Sequence, residues 1–159
     1  MLLVGVVLIT VLVTMRRNNS SNMNENYVGG DDLEKSVFSN ENLNSIDGVY
    51  FANVDYLPDS ELFRCTLANN TDSKIHYGEQ FFLERYIEGE WYEIPYSYKI
   101  PWSYQLNYLV PFSREEIDIP VGIWEPVSDG VYRLVKEVSL NEGGDGPYYV
   151  SSSDFAIKN

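Results

Sequence analysis

Tyr92-Glu93-Ile94-Pro95-Tyr96-Ser97-Tyr98-Lys99-Ile100-Pro101-Trp102-Ser103-Tyr104-Gln105-Leu106-Asn107-Tyr108-Leu109-Val110 alternates in character from end to end. Every even position is apolar or aromatic. Every odd position except Leu109 is polar or proline. Successive side chains on a strand point to opposite faces, so the pattern describes a sheet with one apolar and one wet face. A helix would scatter the same residues around its circumference. Pro95 and Pro101 have no N–H to give to a ladder and divide the run into two or three segments. The even residues therefore define an apolar face that needs a second layer against it.

Outward from this run, short alternating segments recur at regular spacing from about Asp47 onward. Strands are expected at 48–56, 61–68, 79–87, 90–94, 114–119, 130–140 and 148–157. Phe63, Cys65 and Leu67 point one way on the second, Phe81 and Leu83 inward on the third, and Ile117 and Ile119 inward later. Asn69-Asn70-Thr71-Asp72 is turn chemistry, because short polar side chains bond nearby backbone. No helical period lasts long enough to supply a helix layer. The core must be sheet against sheet, an all-β antiparallel sandwich over residues 47–159.

The N-terminal part reads differently. Residues 2–15 are almost unbroken Leu, Val, Ile and Gly, roughly 21 Å as a helix, which suits a signal-peptide core or a minimal membrane anchor. Both readings of residues 1–17 stay open. Arg16 and Arg17 follow the run and no basic residue precedes it, and taken alone this order would leave the following chain in the cytoplasm. A basic region missing upstream reconciles the flanks with an exported domain. Residues 18–46 are rich in Asn and Ser and read as a flexible tether, with a short helical turn at Leu33, Val37 and Phe38. Asn19-Ser20-Ser21 and Asn69-Asn70-Thr71 match the glycosylation pattern.

The net charge of −13 argues against nucleic-acid binding, which needs cations to replace phosphate counterions. A single cysteine, Cys65, excludes an internal disulfide framework. His76, the only histidine, has no neighbouring frame that would mark a serine or cysteine as its nucleophile. Asp55, Asp59 and Glu61 flank one turn, and 141–146 has a loose calcium-loop look without the D-x-D-x-D-G spacing. Solvated acidic turns explain both. Glu84, Glu90 and Glu93 lie on a hairpin, where the cleft of a glycosidase is not expected. No catalytic, metal or cofactor site is assigned.

More specific is Asp129-Gly130-Val131-Tyr132-Arg133-Leu134, which opens a late strand. It follows, in order, Leu67-Ala68-Asn69-Asn70-Thr71, Tyr77-Gly78-Glu79, Phe81-Phe82-Leu83-Glu84 and Gly89-Glu90-Trp91-Tyr92-Glu93-Ile94-Pro95. Together these resemble a bacterial immunoglobulin-like domain family of small exported, often lipid-anchored Gram-positive envelope proteins. The resemblance implies an Ig-like sandwich in which Tyr132 forms the tyrosine corner and Cys65 and Leu134 occupy the two disulfide positions of antibody domains. It supplies no catalytic residues. Two departures stand out: Pro111-Phe112-Ser113 replaces a Pro-Gly turn, and no lipid-attachment cysteine follows residues 2–15.

The expected function is a non-enzymatic binding or surface-presenting module held outside the membrane through residues 2–15, its partner an envelope protein or glycan. Alternatives are a carbohydrate or peptidoglycan-binding module using surface aromatics, and an Ig-like inhibitor of an envelope protease. With thirteen tyrosines in the chain, a small core cannot absorb all of them. Tyr98, Tyr104, Tyr148 and Tyr149 are the candidates for an exposed binding surface, while Trp91 and Trp102 are assigned to the core.

Overall fold

The computed structural model describes residues 33–38, 42–103, 105–124, 126–140 and 146–158. The 1–17 segment read as a signal or anchor, residues 18–32 and 39–41 of the expected tether, Tyr104, Glu125, the 141–145 loop and Asn159 lie outside the described residues.

Among the described residues ten strands make two antiparallel sheets: β1 (Val49–Leu57), β2 (Leu62–Asn69), β3 (Ile75–Tyr77), β4 (Phe81–Ile87), β5 (Glu90–Glu93), β6 (Asn107–Leu109), β7 (Ser113–Pro120), β8 (Gly130–Leu140), β9 (Tyr148–Ser151) and β10 (Phe155–Ile157). The smaller sheet runs β1-β2-β7. The larger runs β5-β4-β8-β3-β6, with β9 and β10 also on β8. Phe63, Cys65 and Leu67 of β2 face Leu83, Leu134 and Val138 of the larger sheet across one core, and all six are 0–1% exposed. The alternation of β2 and β8 thus buries its apolar phase between the sheets, as the sequence pattern requires.

Two strands are broken where the ladder needs extra residues. From Ile75 to Phe81 the chain takes six steps while the facing β8 takes four, from Leu140 to Lys136. β3 and β4 are therefore one line interrupted by a bulge at 78–80. The predicted strand 148–157 is likewise two. Ser152 sits in the break, where its N–H donates to Leu134 O (2.9 Å) and its Oγ accepts from Leu134 N (3.0 Å).

Tyr132 is fully buried and its hydroxyl donates to Ser128 O at 2.7 Å, closing the corner before β8. Gly130 leaves room there: a Cβ would stand 2.9 Å from Arg85 Nε and 3.2 Å from the Tyr132 ring, so a larger residue would have to displace the Arg85 side chain. Cys65 and Leu134 are both completely buried in the same core cluster. Burial pushes the Cys65 thiol up to about 12, which makes it an inert packing residue.

The opening run supplies less strand than predicted. β5 ends at Glu93 and β6 begins at Asn107, and between them Tyr96 makes one isolated bridge to Trp124. The helical turn at 33–38 is absent, and Lys35 instead bridges to Tyr92. Nor do residues 33–38 and 42–46 behave as a flexible tether. Phe38, Leu43 and Ile46 are buried, and the packed unit includes residues before Asp47.

Candidate binding face

The two faces of the larger sheet follow from register. Tyr132, Leu134, Lys136 and Val138 of β8 point into the core, so Arg133, Val135, Glu137 and Ser139 point outward. Paired with them, Phe82 and Glu84 of β4 and His76 of β3 are also outward. This outer face divides into a covered half and an open half.

The covered half lies under the N-terminal strap. Ser36 N donates to Trp91 O (2.9 Å) and Glu93 N to Glu34 O (2.9 Å), which adds the strap to the β5 edge. Asn44 then ties it to β9: its N donates to Tyr149 O (2.7 Å), and its Oδ1 accepts from Ser151 N (2.9 Å). Between these ties, Phe38 packs on Phe82 and Tyr149, with ring centroids 5.1 and 4.9 Å away, and Leu43 and Val135 complete the cluster. Also on this face, Arg133 Nε donates to Glu84 Oε2 at 2.6 Å, both side chains buried and the guanidinium 4.3 Å from the Trp91 ring. Such a pair tolerates burial only while both members are present. Glu93, opposite Glu84 on β5, has its pKa raised by burial and by the charges of Glu84 and Glu34.

The open half is reached through a change of phase. Ile94 is buried, and Tyr96 donates to Phe81 O (2.5 Å) while its ring packs on Trp124 and Trp102. Even residues thus face inward here, as the alternation predicts. At β6 the odd residue Leu109 pairs with Ile75 and enters the core instead. The even residues Leu106, Tyr108 and Val110 are left exposed, Tyr108 at 57% and with Lys74 Nζ 4.5 Å from its ring. Its ring also meets His76 at 6.4 Å. Among the described residues β6 is the last strand of the sheet and its far edge carries no partner strand.

At the end of this row, Phe112 is 73% exposed with φ of 53°. A left-handed backbone costs an aromatic residue roughly 1–2 kcal/mol, so the surroundings must enforce it. Asn69 contributes to that. Fully buried, it donates through Nδ2 to Leu109 O (3.2 Å) and Val110 O (3.1 Å), while its Oδ1 accepts from Thr71 N (3.0 Å) and Oγ1 (2.7 Å). Ser113 Oγ adds a 2.6 Å bond to Val110 O. The turn predicted at 69–72 is thus present, and the same burial removes Asn69 as a glycosylation acceptor. The result is a rigidly presented aromatic tip.

Under the boundary of the two halves lies Lys136, 1% exposed on the core side. Its Nζ donates to Gly78 O (2.5 Å) and Gln80 O (2.6 Å), filling the bulge between β3 and β4. The Phe81 and Tyr77 rings lie 3.9 and 5.4 Å from the ammonium. Desolvation pulls its pKa down to about 7, against the opposing pull of Cys65, Glu137 and Glu79. Tyr77 in turn hydrogen-bonds Glu115 of β7, tying the sheets together.

The four tyrosines chosen from sequence are not brought together. Tyr148 packs against the inter-sheet core and Tyr149 under the strap, because neighbours on β9 point to opposite faces. Tyr98 is exposed, away from any described partner ring, and Tyr104 lies outside the described residues. Trp91 is half-buried on the outer face beside Tyr86, and Trp102 is half-buried against Tyr96. The fully buried indole is Trp124, which sequence reasoning missed because it follows a short 3-10 turn (Val121–Ile123) with no alternation to mark it. Asp55, Asp59 and Glu61 do not converge, and among the described residues no metal-ligating group of three is present.

No curated protein and no solved structure matches the chain. A family model described as a bacterial Ig-like domain matches residues 49–155, which takes in all but the last two residues of the ten strands. The chain belongs to the bacterial Ig-like domain family.

Proposed function

We propose that this protein is a non-enzymatic interaction module whose open half, the row Leu106, Tyr108, Val110 and Phe112, docks a partner in the cell envelope. One observation carries the reading: the phase of the alternation reverses before β6, so a continuous apolar row faces solvent on an unpaired edge. Scattered apolar residues on a surface need no explanation, but a contiguous row ending in a rigid aromatic is the composition of an interface centre. The membership in an Ig-like family supports a surface module over an enzyme. Residues 2–15 supply the attachment, holding the chain at the membrane with the domain outside, and protease treatment of intact protoplasts should then remove the domain.

A photo-crosslinking residue placed at position 112 in the cell tests the docking face. An adduct with an envelope component is expected at position 112 and none at position 98. Equal crosslinking at both positions, or none at 112, would refute this face. Loss of the adduct after glycan digestion would favour the carbohydrate-binding alternative.

A further inference from the structure

Beside the row, on the same outer face, lies a cavity of about 140 Å³. Its rim is the 78–80 bulge, and its walls include Phe82, Trp102, Glu79 and Glu137. Lys136 fixes the bulge from beneath by holding the carbonyls of Gly78 and Gln80. Trp102 is braced edge-on by Tyr96 at 5.3 Å. Glu79 is positioned by accepting Ser103 N through Oε2 (3.1 Å), and Glu137 Oε2 accepts the Tyr149 hydroxyl (3.2 Å). Among the described residues neither carboxylate has an ion-pair partner. The cavity is therefore a braced pocket with an indole wall and two carboxylates whose one cationic neighbour among the described residues, Lys136, acts on them from beneath the bulge without forming an ion pair.

We infer that this pocket receives a basic side chain, foremost an arginine, of the protein partner that docks on the Leu106–Phe112 row. The inference rests on the reading of the open half as the docking face. A guanidinium is planar, stacks on an indole and offers several N–H donors to carboxylates, matching both wall types at once. A neutral sugar would use the indole but leave the charge of Glu79 and Glu137 unanswered. The chain's charge of −13 favours encounter with a basic partner and disfavours a second copy of itself. Lys74, over Tyr108 within the row, already supplies a cation there, so the partner's basic residue belongs at the pocket and not beside Tyr108.

The test is NMR titration of the solubilised full chain with a hexapeptide alternating arginine with valine and tyrosine. Its arms are the same peptide with citrulline for arginine, and an N-acetylglucosamine tetramer. The arginine peptide is expected to shift the Trp102 indole N–H and the Gly78 amide, with affinity falling as salt rises. Citrulline, or the Glu79→Gln/Glu137→Gln double variant, should weaken it about tenfold or more, with the variant's amide spectrum away from the pocket showing the same fold. Equal binding of the arginine and citrulline peptides overturns the proposal. So does salt-independent binding of the tetramer at Trp102 in place of the peptide. Shifts at Tyr108 and Phe112 with none at the pocket sink the arginine site alone, whereas failure of the position-112 crosslink sinks the docking face beneath it.

Discussion

The two halves of the larger sheet's outer face carry the same kind of side chain and meet different fates. On one half Phe82, Val135 and Tyr149 point outward and pack against Phe38 and Leu43 of the strap, Val135 fully buried and Phe82 and Tyr149 partly so. On the other half Leu106, Tyr108 and Val110 point outward and are sealed by no described residue. The difference teaches that outward apolar residues are no marker of function in themselves. What marks function is their remaining open where the same chain has the means to cover such residues elsewhere.

The strongest way to break the comparison is to uncover the sealed half. A chain starting at Asp47 loses Phe38, Leu43 and Ile46 and should fail to fold cooperatively, read as loss of a thermal transition. Phe38→Ala alone should cost about 3–5 kcal/mol in denaturant unfolding. If the truncated domain melts like the longer one, the strap is an ornament and the two halves are alike.

Next in size is the pair under that cover. Arg133→Met leaves Glu84 buried and uncompensated, at about 3–5 kcal/mol, and Glu84→Leu added to it should return much of the loss. A double variant no better than the single would mean that packing of the long Arg133 stem, not its charge, holds the site.

The Lys136 amine sharpens the boundary between the halves. Its folded pKa is about 7 and its unfolded value 10.5, so within that window the unfolded chain binds more protons and stability climbs with pH. Between pH 7 and 9 the gain should be on the order of 1 kcal/mol per pH unit. Lys136→Met should flatten it. Above pH 9 the opposite sign enters, because Cys65 keeps its proton in the folded state to about 12 and loses it near 9.0 when unfolded. The same burial predicts that Cys65 reacts with thiol reagents only as fast as the domain unfolds.

Smallest in stability are changes on the open row. Tyr108→Ser and Phe112→Gly should each move unfolding by about 0.5 kcal/mol or less, and Phe112→Gly, which relieves the positive φ, should stabilise if anything. A large loss from either would show that the row is packed.

Much of the sandwich was legible because β2 and β7 each turn an alternating apolar phase inward, and Tyr132 announces its corner by the Asp-Gly before it. The open row was not legible, for a physical reason. Periodicity reports that alternate residues share a face, but not which face a later strand presents after an irregular connection. The 94–106 segment absorbs the shift, so the pattern that marked Tyr108 as inward marked Ile94 and Tyr96 correctly. Asn and Ser in the strap masked Phe38 and Leu43, whose burial comes from a few anchoring bonds and not from composition. The Lys136 clamp gave no local sign, since it depends on a bulge between strands distant in sequence.

Hydroxyl-radical footprinting tests the division of the face most directly, comparing the protein purified with the protein in its native envelope. Tyr108 and Phe112 should lose reactivity in the envelope, Tyr98 should keep it, and Tyr149 under the strap should be weakly reactive in both. Tyr108 and Phe112 as reactive in the envelope as in isolation would contradict the assignment of the open half as the working surface.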